Sequence, residues 1–145
     1  MLTSDANRRL SELDRDLVEQ RLRAYWGLRA CGESEAIGSF LSEDCAYSGA
    51  IWVGRMVSIR RDGREACIEF ARHLRSIVEP LETTLLDLVI DGDQAAASRR
   101  LKFRAHGTGR VGEVTVCSYV RFRDGQMVEI VELTDDDSLT RLLHD

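Results

Sequence analysis

The chain has 145 residues, of which 43% are hydrophobic and 31% charged, and it carries a net charge of −5. That length, with a single proline, fits one folded domain over residues 1–145 and excludes a disordered chain. The acidic balance gives no case for nucleic-acid binding, and no apolar run approaches the roughly 20 residues of a membrane span.

The opening MLTSDANRRLSELDRD is charged and lacks the apolar stretch of a secretory signal. Cys31, Cys45, Cys67 and Cys117 show no CxxC spacing, so four buried, reduced thiols in a cytoplasmic protein are expected. Residues 8–31 read as a long helix, because Leu10, Leu13, Leu17, Leu22, Tyr25 and Leu28 recur at helical intervals and Gly32 is a natural stop. A short helix follows, with Ala36, Ile37, Phe40 and Leu41 on its apolar side. Cys45–Trp52 reads as a strand and 53–62 as an irregular basic connection carrying Arg55, Arg60 and Arg61. Asp62-x-x-Glu65 has the form of a capping box. Cys67, Phe70, Ala71, Leu74, Ile77 and Val78 then make one stripe of a third helix that ends before Pro80.

Four strands are expected after that, at about 82–91, 94–106, 113–123 and 127–135, and Asp135–Asp137 can cap a last short helix. Asp124-Gly125, between two runs of β-branched and aromatic residues, is a strong hairpin signal. The order ααβαββββα predicts an α+β domain in which a strongly bent antiparallel sheet wraps on helices.

Alternation sorts the strand faces. Val114, Val116, Ser118, Val120 and Phe122 share one face, and Ala95, Ala97, Arg99, Leu101, Phe103 and Ala105 share another. Both faces are core faces by composition, which makes Ser118 and Arg99 polar intruders; a charge among apolar neighbours is costly unless paired. In the last strand, Val128, Ile130, Glu132 and Thr134 oppose Met127, Glu129, Val131 and Leu133, and periodicity alone does not choose between the faces. The Asp124-Gly125 turn sets Ser118 opposite Glu132 and Val120 opposite Ile130. A turn over Gly107–Gly112 would set Leu101 near Ser118 and Arg99 near Val120, leaving Arg99 and Glu132 about 12 Å apart between backbones.

Three stretches carry a family resemblance: AYWGLRACGESEAIGSFLSEDCAY, DGREACIEF and FRDGQMVEIVELTDD. Their order and spacing resemble the nuclear-transport-factor-2-like superfamily, the cone-shaped fold of ketosteroid isomerases, SnoaL-type polyketide cyclases, scytalone dehydratase and limonene-epoxide hydrolase. The resemblance implies that Glu132 faces inward and that the outer sheet face forms a homodimer contact, where Tyr119, Val131 and Leu133 would suit. It places Tyr25 at the oxyanion-hole tyrosine of the isomerases. Gly49 falls where those enzymes have their catalytic aspartate, Ser118 where they have a protonated aspartic acid, and Ala71 where a supporting tyrosine stands. Isomerisation by that mechanism is therefore not expected.

The residues left to act are Glu132 as acid or base, with Tyr25, Arg99 and Ser118 around a substrate oxygen. Tyr47, Leu101, Phe103, Val116, Val120, Ile130 and Trp52 would line the cavity, and Trp26 is wall or core. The expectation is a small hydrophobic ligand in the cone and, for an enzyme, cofactor-free isomerisation, dehydration, cyclisation or hydration; no metal or phosphate motif is present. A non-catalytic ligand-binding domain and a dimerisation module, its cone filled by its own side chains, are the alternatives.

Overall fold

A computed structural model describes the backbone at residues 4–52 and 56–134, and the side chains from Arg15 onward except those of residues 51 and 52. The predicted terminal helix after Asp135 lies outside the described residues, as do the side chains of Leu10, Leu13, Trp52 and Arg55.

Helix α1 spans Ser4–Ala30. Gly32, at φ 77°, ends it, and Glu33 N–H returns to Leu28 O at 2.9 Å, a Schellman-type closure that only a residue free to take positive φ makes cheaply. The buried face of α1 is Val18, Leu22, Tyr25 and Trp26, while Leu17, assigned to that stripe from the sequence, is exposed. The expected second helix is a single 3-10 turn, Ala36–Phe40. Helix α2, Arg64–Ile77, buries Cys67, Ile68, Phe70 and Ala71. Its capping box does not form: Gly63, at φ 94°, occupies the N-cap without a side-chain cap, and Asp62 belongs to the preceding strand.

The sheet has six strands: β1 (Leu41–Trp52), β2 (Met56–Asp62), β3 (Val78–Asp91), β4 (Gln94–Ala105), β5 (Val111–Arg123) and β6 (Gln126–Thr134). Their order is β2-β1-β6-β5-β4-β3. The stretch expected as an irregular connection is thus strand β2, antiparallel to β1. It is an edge strand with little burial, so its arginines replace the apolar alternation that marks inner strands. The sheet is mixed, because β1 runs parallel to β6 while every other pair is antiparallel. Pro80 is tolerated because β3 is the opposite edge. Extra residues Leu81 and Leu86 in β3 and Val128 in β6 break the register and bend the sheet.

The Asp124-Gly125 turn forms as expected, with φ 53° and 78° at its two residues, both of the sign a type I′ turn requires. Ser118 faces Glu132 and Val120 faces Ile130. The β4–β5 register differs from expectation: the turn closes with Ala105 N–H on Arg110 O, so Arg99 faces Val116, Leu101 faces Val114 and Ala97 faces Ser118. Arg99 therefore stays two residues out of line with Glu132, on the side opposite to the one expected.

Two apolar clusters result. The larger joins α1, α2 and the sheet through Leu22, Tyr25, Tyr47, Val120, Met127 and Ile130, among others. The smaller holds Phe103, Val114 and Val116 with Val78 and Leu101. All four cysteines are free; Cys45 and Cys67 are buried, but Cys31 and Cys117 are exposed, against the expectation that all four lie inside.

Candidate functional site

Three strands and one helix bring polar groups to one carboxylate. Glu132 turns inward from β6 and is 9% exposed, Ser118 on β5 is 5% exposed, and Arg99 on β4 is 5% exposed. Arg99 Nη2 donates to Glu132 Oε2 at 2.7 Å and to Ser118 Oγ at 3.3 Å, and Ser118 Oγ–H donates to the same Glu132 oxygen at 3.0 Å. Extended side chains close the backbone gap that the pairing leaves. Arg29, at the end of α1, places Nη1 3.4 Å from Glu132 Oε1. The Arg99 guanidinium also lies 4.6 Å from the Trp26 ring centre, a cation–π contact that helps hold it.

Tyr47 completes the ring around Glu132. Gly49 sits directly opposite Glu132 in the β1–β6 pair, and a Cβ there would stand 3.3 Å from the Tyr47 hydroxyl and 3.1 Å from Glu132 O. The missing side chain is what lets Tyr47, two residues earlier on the same face, fold over Gly49 beside the Glu132 carboxylate, where its hydroxyl favours the charged form. Tyr25, one helical turn before Arg29, is 3% exposed and close enough to feel its charge.

The electrostatics follow from these neighbours. Burial disfavours charge on Glu132, but Arg99 and Arg29, with the hydroxyls of Ser118 and Tyr47, outweigh it and hold the carboxyl below its ordinary range. Glu132 is therefore an anion at neutral pH, able to accept a proton but not to supply one. Burial pushes the Tyr25 phenol up, opposed by Arg29, and burial together with the Glu132 charge pushes Tyr47 up. Both phenols stay protonated as hydrogen-bond donors. Burial lowers Arg99, with Glu132 only partly offsetting it; Arg29 ends above its ordinary value because Tyr25 and Glu132 outweigh its burial.

Of the residues singled out from the sequence, Glu132, Arg99, Ser118, Tyr25 and Tyr47 come together. Val120 and Ile130 lie in the larger apolar cluster, whereas Leu101, Phe103 and Val116 lie in the smaller one. The Trp52 side chain is outside the described residues. Arg29 was not foreseen; its spacing four residues after Tyr25, on the same helix face, was the available signal. His73 and His106 are exposed and play no part in the cluster. A separate open hollow of about 450 Å³ at the surface is lined by Ser42, Asp44, Arg64, Arg123 and Gln126, among others, and none of the predicted site residues reaches it.

The fold and this inward-facing cluster can now be set against known proteins. Residues 22–130 match the SnoaL-like domain. The chain belongs to the SnoaL-like family. Solved structures of the same cone-shaped fold include a candidate isomerase from Rhodopseudomonas palustris, 17% identical with a TM-score of 0.73 over 87% of this chain and 94% of that one. A candidate polyketide cyclase from Xanthomonas campestris is 20% identical, with a TM-score of 0.68 over 90% and 96% of the two chains. A LEH-like epoxide hydrolase from M. tuberculosis is 16% identical, with a TM-score of 0.64 over 80% of each chain. At these identities the likeness establishes the fold of the SnoaL-like domain and leaves its chemistry to its own residues. No curated protein matches the chain. Among the described residues no helix is long and apolar enough to cross a membrane.

Proposed function

We propose that this SnoaL-like protein takes a small hydrophobic, oxygen-bearing molecule into its cone and performs cofactor-independent acid–base chemistry on it, of the isomerase, dehydratase or cyclase kind. Glu132 is the proton acceptor. Tyr25 donates a hydrogen bond to the substrate oxygen as it gains charge, and Arg99 and Ser118 fix the carboxylate. Leu101, Phe103 and Val116, with Val120 and Ile130 beneath, form the apolar wall. The observation that carries this reading is the convergence of Arg29, Arg99, Ser118 and Tyr47 on one ionised carboxylate, between two apolar clusters.

Native mass spectrometry of freshly purified protein is expected to reveal a carried small molecule. With that molecule as substrate, Glu132→Asp keeps the charge but draws the carboxylate back by about one bond length, and a loss of about a hundredfold in turnover is expected. Unchanged turnover in that variant removes Glu132 from the chemistry, whereas a carried molecule that the parent protein binds without turning over leaves a binding domain. A filled cone with no carried molecule would leave the dimerisation reading.

A homodimer is compatible with either outcome. Val89, Ala96, Tyr119 and Val131 make one outward row across four strands, beside Cys117 and Leu133 in the next, and the Arg121–Glu129 ion pair flanks it. Such an apolar strip with charged edges suits a two-fold contact. Sedimentation velocity is expected to show a dimer that Tyr119→Glu dissociates. Four free cysteines favour a reducing, cytoplasmic setting.

A further inference from the structure

The polar cluster is unbalanced in charge. Among the described residues, two guanidiniums, Arg29 and Arg99, pair with a single carboxylate, Glu132. One unit of positive charge is left over between the buried Arg99 and Arg29, whose side chain is 21% exposed, and positive charge only partly open to water is costly without an anion.

The hydrogen bonding is unbalanced at the same place. Arg99 commits Nη2 to Glu132 and Ser118, while its buried Nε has no partner among the described residues. Thr134 Oγ1 is likewise buried without a partner. The register sets the two in one row: Arg99 faces Val116, and Val116 faces Thr134. A guanidinium N–H and a hydroxyl thus flank a valine in one row, beside surplus positive charge, and both are groups from which a negatively charged oxygen accepts hydrogen bonds. The smaller apolar cluster, with Phe103 and Val114, adjoins it through Val116 itself.

We propose that the ligand is an anion: a small hydrophobic molecule whose carboxylate lies over Val116, accepts hydrogen bonds from Arg99 Nε and Thr134 Oγ1, and rests its apolar body on Phe103 and Val114. This rests on the reading that the cone holds a small molecule, and it narrows that reading, since a neutral ligand leaves the extra charge uncompensated.

The test uses the full chain at pH 7 with two probes of matched shape, benzoate and benzamide. Binding is followed by calorimetry and by the arginine Nε–Hε resonances. Benzoate is expected to bind at least tenfold more tightly than benzamide, to shift the Arg99 Nε–Hε signal, and to lose about tenfold in Thr134→Val, which preserves side-chain shape and site charge. Equal binding of the two probes, no benzoate binding, or benzoate binding indifferent to Thr134→Val overturns the proposal. A neutral molecule carried through purification overturns it too but leaves the cone-ligand reading intact, whereas absence of any carried molecule and of both probes removes both.

Discussion

Glu132→Gln is expected to destabilise the protein more than Arg99→Met, although Arg99 is the more buried partner of the 2.7 Å pair. Contact counting predicts the reverse, because Arg99→Met also gives up the stacking on Trp26. Charge balance decides otherwise. Glu132→Gln leaves the buried Arg99 and the part-buried Arg29 as two cations with no anion between them, and stripping the partner from a buried pair costs about 3–5 kcal/mol. Arg99→Met instead leaves Glu132 with Arg29, Ser118 and Tyr47, a neutral set, so the cost falls to about 1–2 kcal/mol for a lost hydrogen bond to a charged group, offset by removal of a desolvated cation. At about 2–4 °C per kcal/mol for a chain of this size, the melting temperature should fall by about 6–20 °C in the first variant and about 2–8 °C in the second. Urea unfolding followed by circular dichroism at pH 7 measures both, given equal m-values. An Arg99→Met loss equal to or larger than that of Glu132→Gln refutes the surplus-charge account.

Because the folded-state pKa of Glu132 is depressed, its contribution to stability is present in full above the ordinary carboxylate range and is lost as pH falls through the folded value. Urea midpoints taken downward from pH 7 should therefore drop less steeply below about pH 4.5 in Glu132→Gln than in the parent protein; parallel slopes would refute the assignment. Gly49→Ala puts a methyl group against the Tyr47 hydroxyl and the Glu132 carbonyl, and is expected to cost about 1–3 kcal/mol. Much of that loss should vanish in the Tyr47→Phe background, and an unchanged loss there would show that backbone crowding alone is responsible. Gly125→Ala, at φ 78°, should cost about 1 kcal/mol or more in the same assay, while Gly27→Ala, in the last turn of α1 with open space around it, should be neutral or stabilising.

The sequence disclosed the inward faces of β4 and β5 because burial imposes strict alternation, and Arg99 and Ser118 stood out against it. Asp124-Gly125 fixed the β5–β6 register, since its two positive φ angles leave little freedom in how the strands align. The β4–β5 register was harder to read. Three glycines between 107 and 112 look like one turn, yet Gly112 lies within β5, paired with Phe103. β2 was hidden because an edge strand need not alternate, and Met127 reached the core only through the bulge that leaves Val128 unpaired. Arg29 escaped notice because a basic residue in the last turn of a helix is ordinarily explained by the helix dipole.

The parallel pairing of β1 with β6 also bears on how the protein assembles. The other four strand junctions are hairpins or near neighbours in sequence, but this one joins strands from opposite ends of the described chain, so it carries the largest loop-closure entropy. The meander β3–β6 and the ribbon β1–β2 can each form locally, and the seam between them closes when Gly49 meets Glu132. Arg99 and Ser118 reach Glu132 from within the meander, while Tyr47 arrives only with the ribbon. Tyr47→Phe should accordingly speed unfolding more than it slows folding, placing the last part of the site to form among the first to come apart.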